Sequence, residues 1–286
     1  MRAVAIFGPG SSAKNLKPFQ TNSKATWLTD LPGNPSQADA ILIFGGDGTI
    51  HRYLSQLVKL QLPVLVVPRG SGNDFARALR LQSMRDSLAA WRNFSSGNET
   101  IRTIDLGVIT AINADRAAGH SPLPHYFCCI GGVGLDADIA RRANQLPRWL
   151  RGRGGYVLSF LSALQKFTPS AMRISSARTA EPIVIAAFAN TPSYGGGMQI
   201  APHAQLDDGL LDVCIIPRMN KLKLFCLFPS VYFGSHLSVP QLEYFQAEQL
   251  KLETNEPLEV YADGEYICRT PIEVSVARAA LRVIVP

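Results

Sequence analysis

The chain has 286 residues, 47% of them hydrophobic, 17% charged and 8% aromatic, and its 28 Lys+Arg against 22 Asp+Glu leave a formal charge of +6. This length predicts two domains or one large one, and the apolar share, with a mean hydropathy of +0.07, excludes a disordered chain. An isoelectric point near 9.2 suits an anionic partner such as a nucleotide, a nucleic acid or an acidic membrane surface, without choosing among them.

The opening run ends in glycines after one short strand pattern at residues 4–7, too short for the apolar core of a signal peptide, so the expected location is intracellular. Further strands are predicted at residues 40–44 and 64–67. Between them Ile50, Leu54, Leu57 and Val58 recur at helical spacing, in a helix that should begin just after Thr49. A second helix follows Asn73 and Asp74, both good N-caps, with Phe75, Ala78 and Leu79 inward; a third starts near Ser83 with Met84, Leu88 and Trp91 on one side. This alternation predicts a doubly wound α/β domain with a parallel sheet, whose ligands bind beyond the carboxyl ends of the strands.

After Asp105 strand-like runs at residues 125–130, 183–189, 211–216, 249–254, 258–262 and 272–276, separated by Gly or Pro turns, predict a mainly antiparallel, β-sandwich-like domain. Helical insertions are expected at 136–146 and 155–167; in the latter Val157, Phe160, Leu161 and Leu164 read as a core face. The apolar stretch 222–239 is interrupted by Lys223, Pro229 and His236, falls short of a membrane span, and reads as a core helix and turn, with an interfacial element as the alternative. Residues 281–285 are expected to return to the first domain, giving domains at 1–107 with about 277–286, and 108–276. Five cysteines, Cys128, Cys129, Cys214, Cys226 and Cys268, form no CxxC and have no His at ligand spacing, so neither a disulfide framework nor a zinc site is indicated.

The chemistry concentrates in glycine turns. Gly45-Gly46-Asp47-Gly48-Thr49 runs from a buried strand into a helix, where backbone N–H groups and the helix N-terminus favour a phosphate. Asp47 would repel that phosphate unless a divalent cation bridges them, which predicts Mg²⁺ with a nucleotide. A lone cluster of this kind is more often an ordinary turn. Here two more loops share its chemistry: Gly70-Ser71-Gly72-Asn73-Asp74 after the next strand, and Gly8-Pro9-Gly10-Ser11-Ser12 after the first. A dinucleotide site fits less well, because no GxGxxG follows the first strand.

Residues 44–49 (FGGDGT) and 70–77 (GSGNDFAR) resemble the diacylglycerol kinase catalytic-domain family, which includes bacterial lipid kinases and sphingosine and ceramide kinases. The similarity continues through Gly132-Val133-Gly134-Leu135-Asp136, Gly195-Gly196-Gly197-Met198 with Ala201-Pro202, residues 206–212 (LDDGLLD), and Ala262-Asp263-Gly264-Glu265 to Leu281-Arg282-Val283. The GGDGT loop alone is shared with NAD kinases and phosphofructokinases; the later motifs separate them.

The resemblance implies ATP held by Gly8, Ser11, Ser12, Thr29, Gly45, Gly46, Asp47, Gly48, Thr49, His51, Gly70, Ser71, Gly72 and Asn73, with Asp47, Asp74 and Asp105 in a water-bridged network around its Mg²⁺. Asp74 also reads as a helix cap. Phosphoryl transfer needs a base for the attacking hydroxyl. From spacing alone Asp263-Gly264 before Glu265 is a hairpin turn; the resemblance makes Glu265 the general base and Asp263 its orienting or metal-supporting partner. It also implies a structural Mg²⁺ on Asp208 and the main-chain carbonyls of Gln205 and Leu210.

The expected function is therefore an ATP- and Mg²⁺-dependent lipid kinase acting on a hydroxyl such as that of diacylglycerol, cytoplasmic and peripherally membrane-associated, with its site in the cleft between the domains. Arg141, Arg142, Arg148, Arg151 and Arg153 beside Trp149 and Leu150 fit anionic phospholipid headgroups or, equally, a solvated helix end. Nucleic acid is not expected as a partner, because the basic residues form no recognisable module, and a homodimer is left open. The rivals are a lipid-binding protein with weakened catalysis on the same fold, and a soluble-substrate kinase of the NAD kinase type. Three departures from the family pattern stand out: Gly8 replaces an Asn, His51-Arg52 replaces Asn-Glu, and the helix that follows the first loop is expected to be largely absent.

Overall fold

The computed structural model describes residues 1–286 apart from 22, 99, 113–122, 147–152, 176 and 178–181. The chain divides into two compact units, Met1–Asp105 with Arg278–Pro286, and Leu106–Ala277.

In the first unit the chain forms β1 (Arg2–Phe7), α1 (Ala13–Thr21), β2 (Thr26–Leu28), β3 (Ala40–Gly45), α2 (Asp47–Leu60), β4 (Val64–Pro68), α3 (Asp74–Ala78) and α4 (Met84–Ser95). β1 pairs in parallel with β2 on one side and β3 on the other, and β4 continues beyond β3. The apolar run of β3 is buried throughout, as a central parallel strand requires. Because the chain moves outward from β1 to β2 and then back past β1 to β3, the winding reverses between β1 and β3. Right-handed crossovers place α1 and α2 on opposite faces, and the reversal opens a crevice at the carboxyl ends of β1 and β3, where doubly wound sheets bind ligands. α4 is fixed by a capping box in which Ser83 and Asp86 exchange side-chain to backbone hydrogen bonds.

One expectation fails here. The helix after the first loop is present: α1 runs for nine residues and buries Leu16 and Phe19, with the Phe19 ring edge-on to Phe44 at 5.2 Å. Pro18 inside it removes one helical N–H and hides the pattern from a sequence reading.

The second unit comprises the end of β5 (Ile101–Ala111), then β6 (His125–Phe127), β7 (Ile130–Gly134), α5 (Leu135–Gln145), α6 (Arg153–Lys166), β8 (Met172–Ile174), β9 (Ile183–Ala189), β10 (Leu211–Pro217), α7 (Lys221–Val231), β11 (Glu243–Ala247), β12 (Gln249–Thr254), β13 (Glu259–Ala262), β14 (Glu265–Arg269) and the start of β15 (Ile272–Ile284). Six strands form an antiparallel sheet in the order β11-β10-β9-β7-β13-β14. β12 lies antiparallel between β8 and β15, and β6 pairs with β5. Inward side chains of both sets, among them Phe127, Leu252 and Val274 against Val133, Phe188 and Val213, make one buried core, the alternation expected of a sandwich. The run predicted at 125–130 breaks into two strands because Cys128 and Cys129 bend the chain from one sheet to the other.

β15 also serves the first unit, where Val283 pairs in parallel with Val64 of β4. Within the continuous β15, Ala279 takes a left-handed φ of 51°.

Two helices depart from their core reading. On α7 Leu222 is 68% and Phe225 50% exposed, and Phe233 just beyond it is 81% exposed. On α6 Phe160 and Leu164 are buried, but Val157, Leu158 and Leu161 are not. The two helices pack together through Phe160, stacked on Phe228 at 3.9 Å, and through Lys221 Nζ donating to Gln165 O. Among the described residues no helix is long and apolar enough to cross a membrane.

Candidate active site

The three glycine loops meet. Gly8 N donates to Phe44 O at 2.8 Å, and the Ser11 hydroxyl lies 2.6 Å from Phe44 O and 2.7 Å from Gly8 O, tying the loop after β1 to the end of β3. Arg69 N donates to Gly45 O at 2.9 Å, tying in the loop after β4. A Cβ on Gly70 would lie 2.6 Å from the Gly46 Cα, and one on Gly8 2.2 Å from Thr49 Oγ1. Glycine is therefore required at these positions by the approach of one loop to another. Asn73, at φ 55°, closes the third loop by accepting from Gly70 N and donating to Gly70 O, both at 2.8 Å. Ser12 and Ser71 are exposed on these loops, Gly72 accepts from Arg77 Nη2, and Gly48, Thr49 and His51 lie in the first turns of α2. Thr29, also exposed, follows β2 at the same strand-end edge.

The acidic residues are engaged by the protein. Asp47 Oδ2 accepts from Asp74 N and Oδ1 from Phe75 N, each at 3.1 Å. Asp47, the first residue of α2, thus caps α3 from the neighbouring helix, while Asn73, the N-cap residue of α3, supplies no side-chain cap. The cap reading of Asp74 is corrected accordingly: buried at the first helical position, its carboxylate pairs with Arg77. Asp105, also buried, accepts from Ala279 N at 2.7 Å. A carboxylate oxygen carries two lone pairs, so the capping role of Asp47 is compatible with a hydrated Mg²⁺ reached through its waters.

In the second unit Asp263 (φ 51°) and Gly264 (φ 84°) form the two-residue turn between β13 and β14, with Ala262 paired to Glu265. Two positive φ values are the type I′ signature. The Asp263 carboxylate accepts from Cys128 N and Cys129 N, both at 2.8 Å, Asp263 N donates to Ile130 O at 3.0 Å, and Asn144 of α5 donates to Gly264 O at 2.5 Å. This turn holds Glu265, exposed at the start of β14, by its backbone on both sides.

The sequence places Asp136 in a shared motif but gives it no role. Asp136, at the head of α5, is fully enclosed, and burial pushes its pKa up to about 6 although the Tyr194 hydroxyl donates to it. Asp208, by contrast, accepts from Leu210 N at 3.0 Å and from Gln246 Nε2 at 3.3 Å, in the loop that also contains Gln205. Its neighbour Asp212 is raised by burial even with Tyr244 and Gln246 donating to it. Of the basic segment, Arg141 and Arg142 both pair with Asp138, where burial opposes the charge but the guanidiniums prevail and hold the carboxyl below its usual range. Arg148, Trp149, Leu150 and Arg151 lie outside the described residues, and Arg153 opens α6.

Comparison with known proteins matches residues 16–109 to the diacylglycerol kinase catalytic domain and residues 130–285 to the YegS C-terminal NAD kinase beta sandwich-like domain. A diacylglycerol kinase of Mycobacterium tuberculosis (strain H37Rv) is 34% identical over 251 residues, covering 87% of this chain and 77% of that protein. A diacylglycerol kinase of Bacillus subtilis is 28% identical over 232 residues, covering 80% and 71%. A crystal structure of a diacylglycerol kinase from Bacillus anthracis strain Sterne superposes with a TM-score of 0.69 at 18% identity, covering 100% of this chain and 97% of that one, a likeness of fold. The chain belongs to the diacylglycerol kinase catalytic-domain family of lipid kinases, enzymes that transfer phosphate to an alcohol.

Proposed function

We propose that this protein uses ATP and Mg²⁺ to phosphorylate the hydroxyl of a membrane lipid of the diacylglycerol type. The observation that carries the reading is the junction of three glycine loops at the winding reversal between β1 and β3, with the N-terminus of the 14-residue α2 in their midst. Backbone N–H groups and the helix dipole favour a polyphosphate there. ATP, when bound, supplies the phosphoryl group, and Mg²⁺ offsets its charge. Asp47 serves this site in two ways, by fixing α3 against the loop and by accepting hydrogen bonds from metal-bound water. Glu265 takes the proton of the lipid hydroxyl, and Asp263 positions it through the hairpin backbone.

The apolar side chains left exposed on α6 and α7, with Lys166, Lys221 and Lys223 also exposed on those helices, support a substrate met at a bilayer surface. The test is Glu265→Gln in a lipid-kinase assay on mixed micelles. A fall in turnover of about 10²–10⁴, with ATP affinity within a few-fold of the parent, is expected for loss of a general base. Undiminished turnover would remove Glu265 from that role.

A further inference from the structure

The only cluster among the described residues in which three metal-ligating side chains converge is Cys128, Cys129 and Asp263, whose ligand atoms all lie within 4.8 Å of one another. We propose that it is a binding site for a thiophilic divalent cation, zinc or cadmium, held by Cys128 Sγ, Cys129 Sγ and the Asp263 carboxylate.

The geometry is close to what such a cation needs. The two Sγ atoms are 3.9 Å apart, and Cys128 Sγ is 3.3 Å from Asp263 Oδ2. A tetrahedral zinc with bonds of about 2.3 Å to sulfur and about 2.1 Å to oxygen has S···S and S···O edges of about 3.8 and 3.6 Å. Cys128 Sγ therefore already stands at near-tetrahedral spacing from both partners, Cys129 Sγ lies within 4.8 Å of the Asp263 carboxylate, and a side-chain adjustment on that last edge completes the polyhedron.

The surroundings hold them there. The Cys128 and Cys129 amides fix the Asp263 carboxylate, and Asn190 fixes the bend by donating to Cys129 O at 2.8 Å through its backbone and to Cys128 O at 3.3 Å through its side chain. Outer partners of this kind orient ligands before the metal arrives. Both thiols are 2% exposed or less, whereas Asp263 is half-buried at the turn and offers the way in. Binding displaces two thiol protons to solvent and leaves two thiolates and one carboxylate on the cation. The chain spacing alone gives no hint of this, because the third ligand comes from the β13–β14 turn, 134 residues from Cys129.

The test is titration of the full-length, reduced protein with cadmium chloride, read by the thiolate-to-cadmium charge-transfer absorption. No turnover is measured, so the outcome is independent of the kinase reading. The expected result is one equivalent bound, with affinity lowered at least tenfold in Cys129→Ser and no loss in Cys226→Ser, the exposed cysteine. In the unmutated protein, cadmium should also slow alkylation of Cys128 and Cys129 by peptide mapping while leaving Cys226 reactive. Absence of the band at stoichiometric cadmium, or the same band in Cys128→Ser/Cys129→Ser, would overturn the assignment.

Discussion

Replacing Asp136 by Asn should change the pH dependence of stability more than stability at any one pH. Buried at the head of α5, Asp136 has its pKa raised from 3.8 to about 6. A carboxyl whose folded pKa lies above its unfolded value stabilises the protein fully below the unfolded pKa, and that contribution is lost as pH rises through the folded pKa. From the shift of 3.8 to about 6, the loss over the whole window is about 3 kcal/mol, roughly half of it between about pH 5 and 7.5. The amide of Asp136→Asn would not titrate and would still accept from Tyr194, so the variant should gain on the parent by about 1.4 kcal/mol between those two pH values. The measurement is urea denaturation of both proteins at matched pH, taken as a difference so that other titrating groups cancel. A difference that stays flat between about pH 5 and 7.5 would refute the enclosed, raised carboxyl.

Other consequences are equally concrete. Gly70→Ala drives a methyl to 2.6 Å from the Gly46 backbone, so it should cost about 1–3 kcal/mol and weaken ATP binding at least tenfold. In Gly33→Ala the new methyl meets nothing closer than 3.9 Å, and calorimetry should find ATP affinity unchanged. Asp47→Ala removes two charge-assisted hydrogen bonds to the start of α3 and should lower nucleotide-free stability by about 2–4 kcal/mol; unaltered stability with lost ATP binding would make Asp47 purely a ligand. Phe225→Ser with Phe233→Ser should reduce cosedimentation with anionic vesicles at least tenfold, on about 1.5–3 kcal/mol for each buried aromatic, and unaffected binding would place the bilayer contact elsewhere.

The sequence showed the sandwich strands well where alternation was undisturbed: β9 and β12 have the predicted ends, because apolar residues and turn signals coincide there. It failed where a residue or short run opposed its neighbours. Pro18 masked α1, and residues 277–280 (ARAA), poor in strand formers, split β15 into two apparent strands. α7 looked like core because hydrophobicity does not say which side of a helix finds a partner; only the packing on α6 leaves Phe225 and Phe233 outside. The glycine loops were legible as motifs, but their glycines are demanded by loop-to-loop contact, a long-range fact. Asp47 as a cap for α3, and the grip of Cys128 and Cys129 on Asp263, likewise join residues far apart in the chain and leave no periodic trace.

β15 gives the two units a shared schedule of synthesis. The parallel sheet of the first unit exposes the flank of β4 until residues near Val283 have left the ribosome, although everything up to Asp105 emerged long before. A nascent first unit must therefore wait, incomplete, while the whole sandwich is translated. A chain truncated near residue 105 would carry that unpaired β-edge permanently, a recipe for self-association.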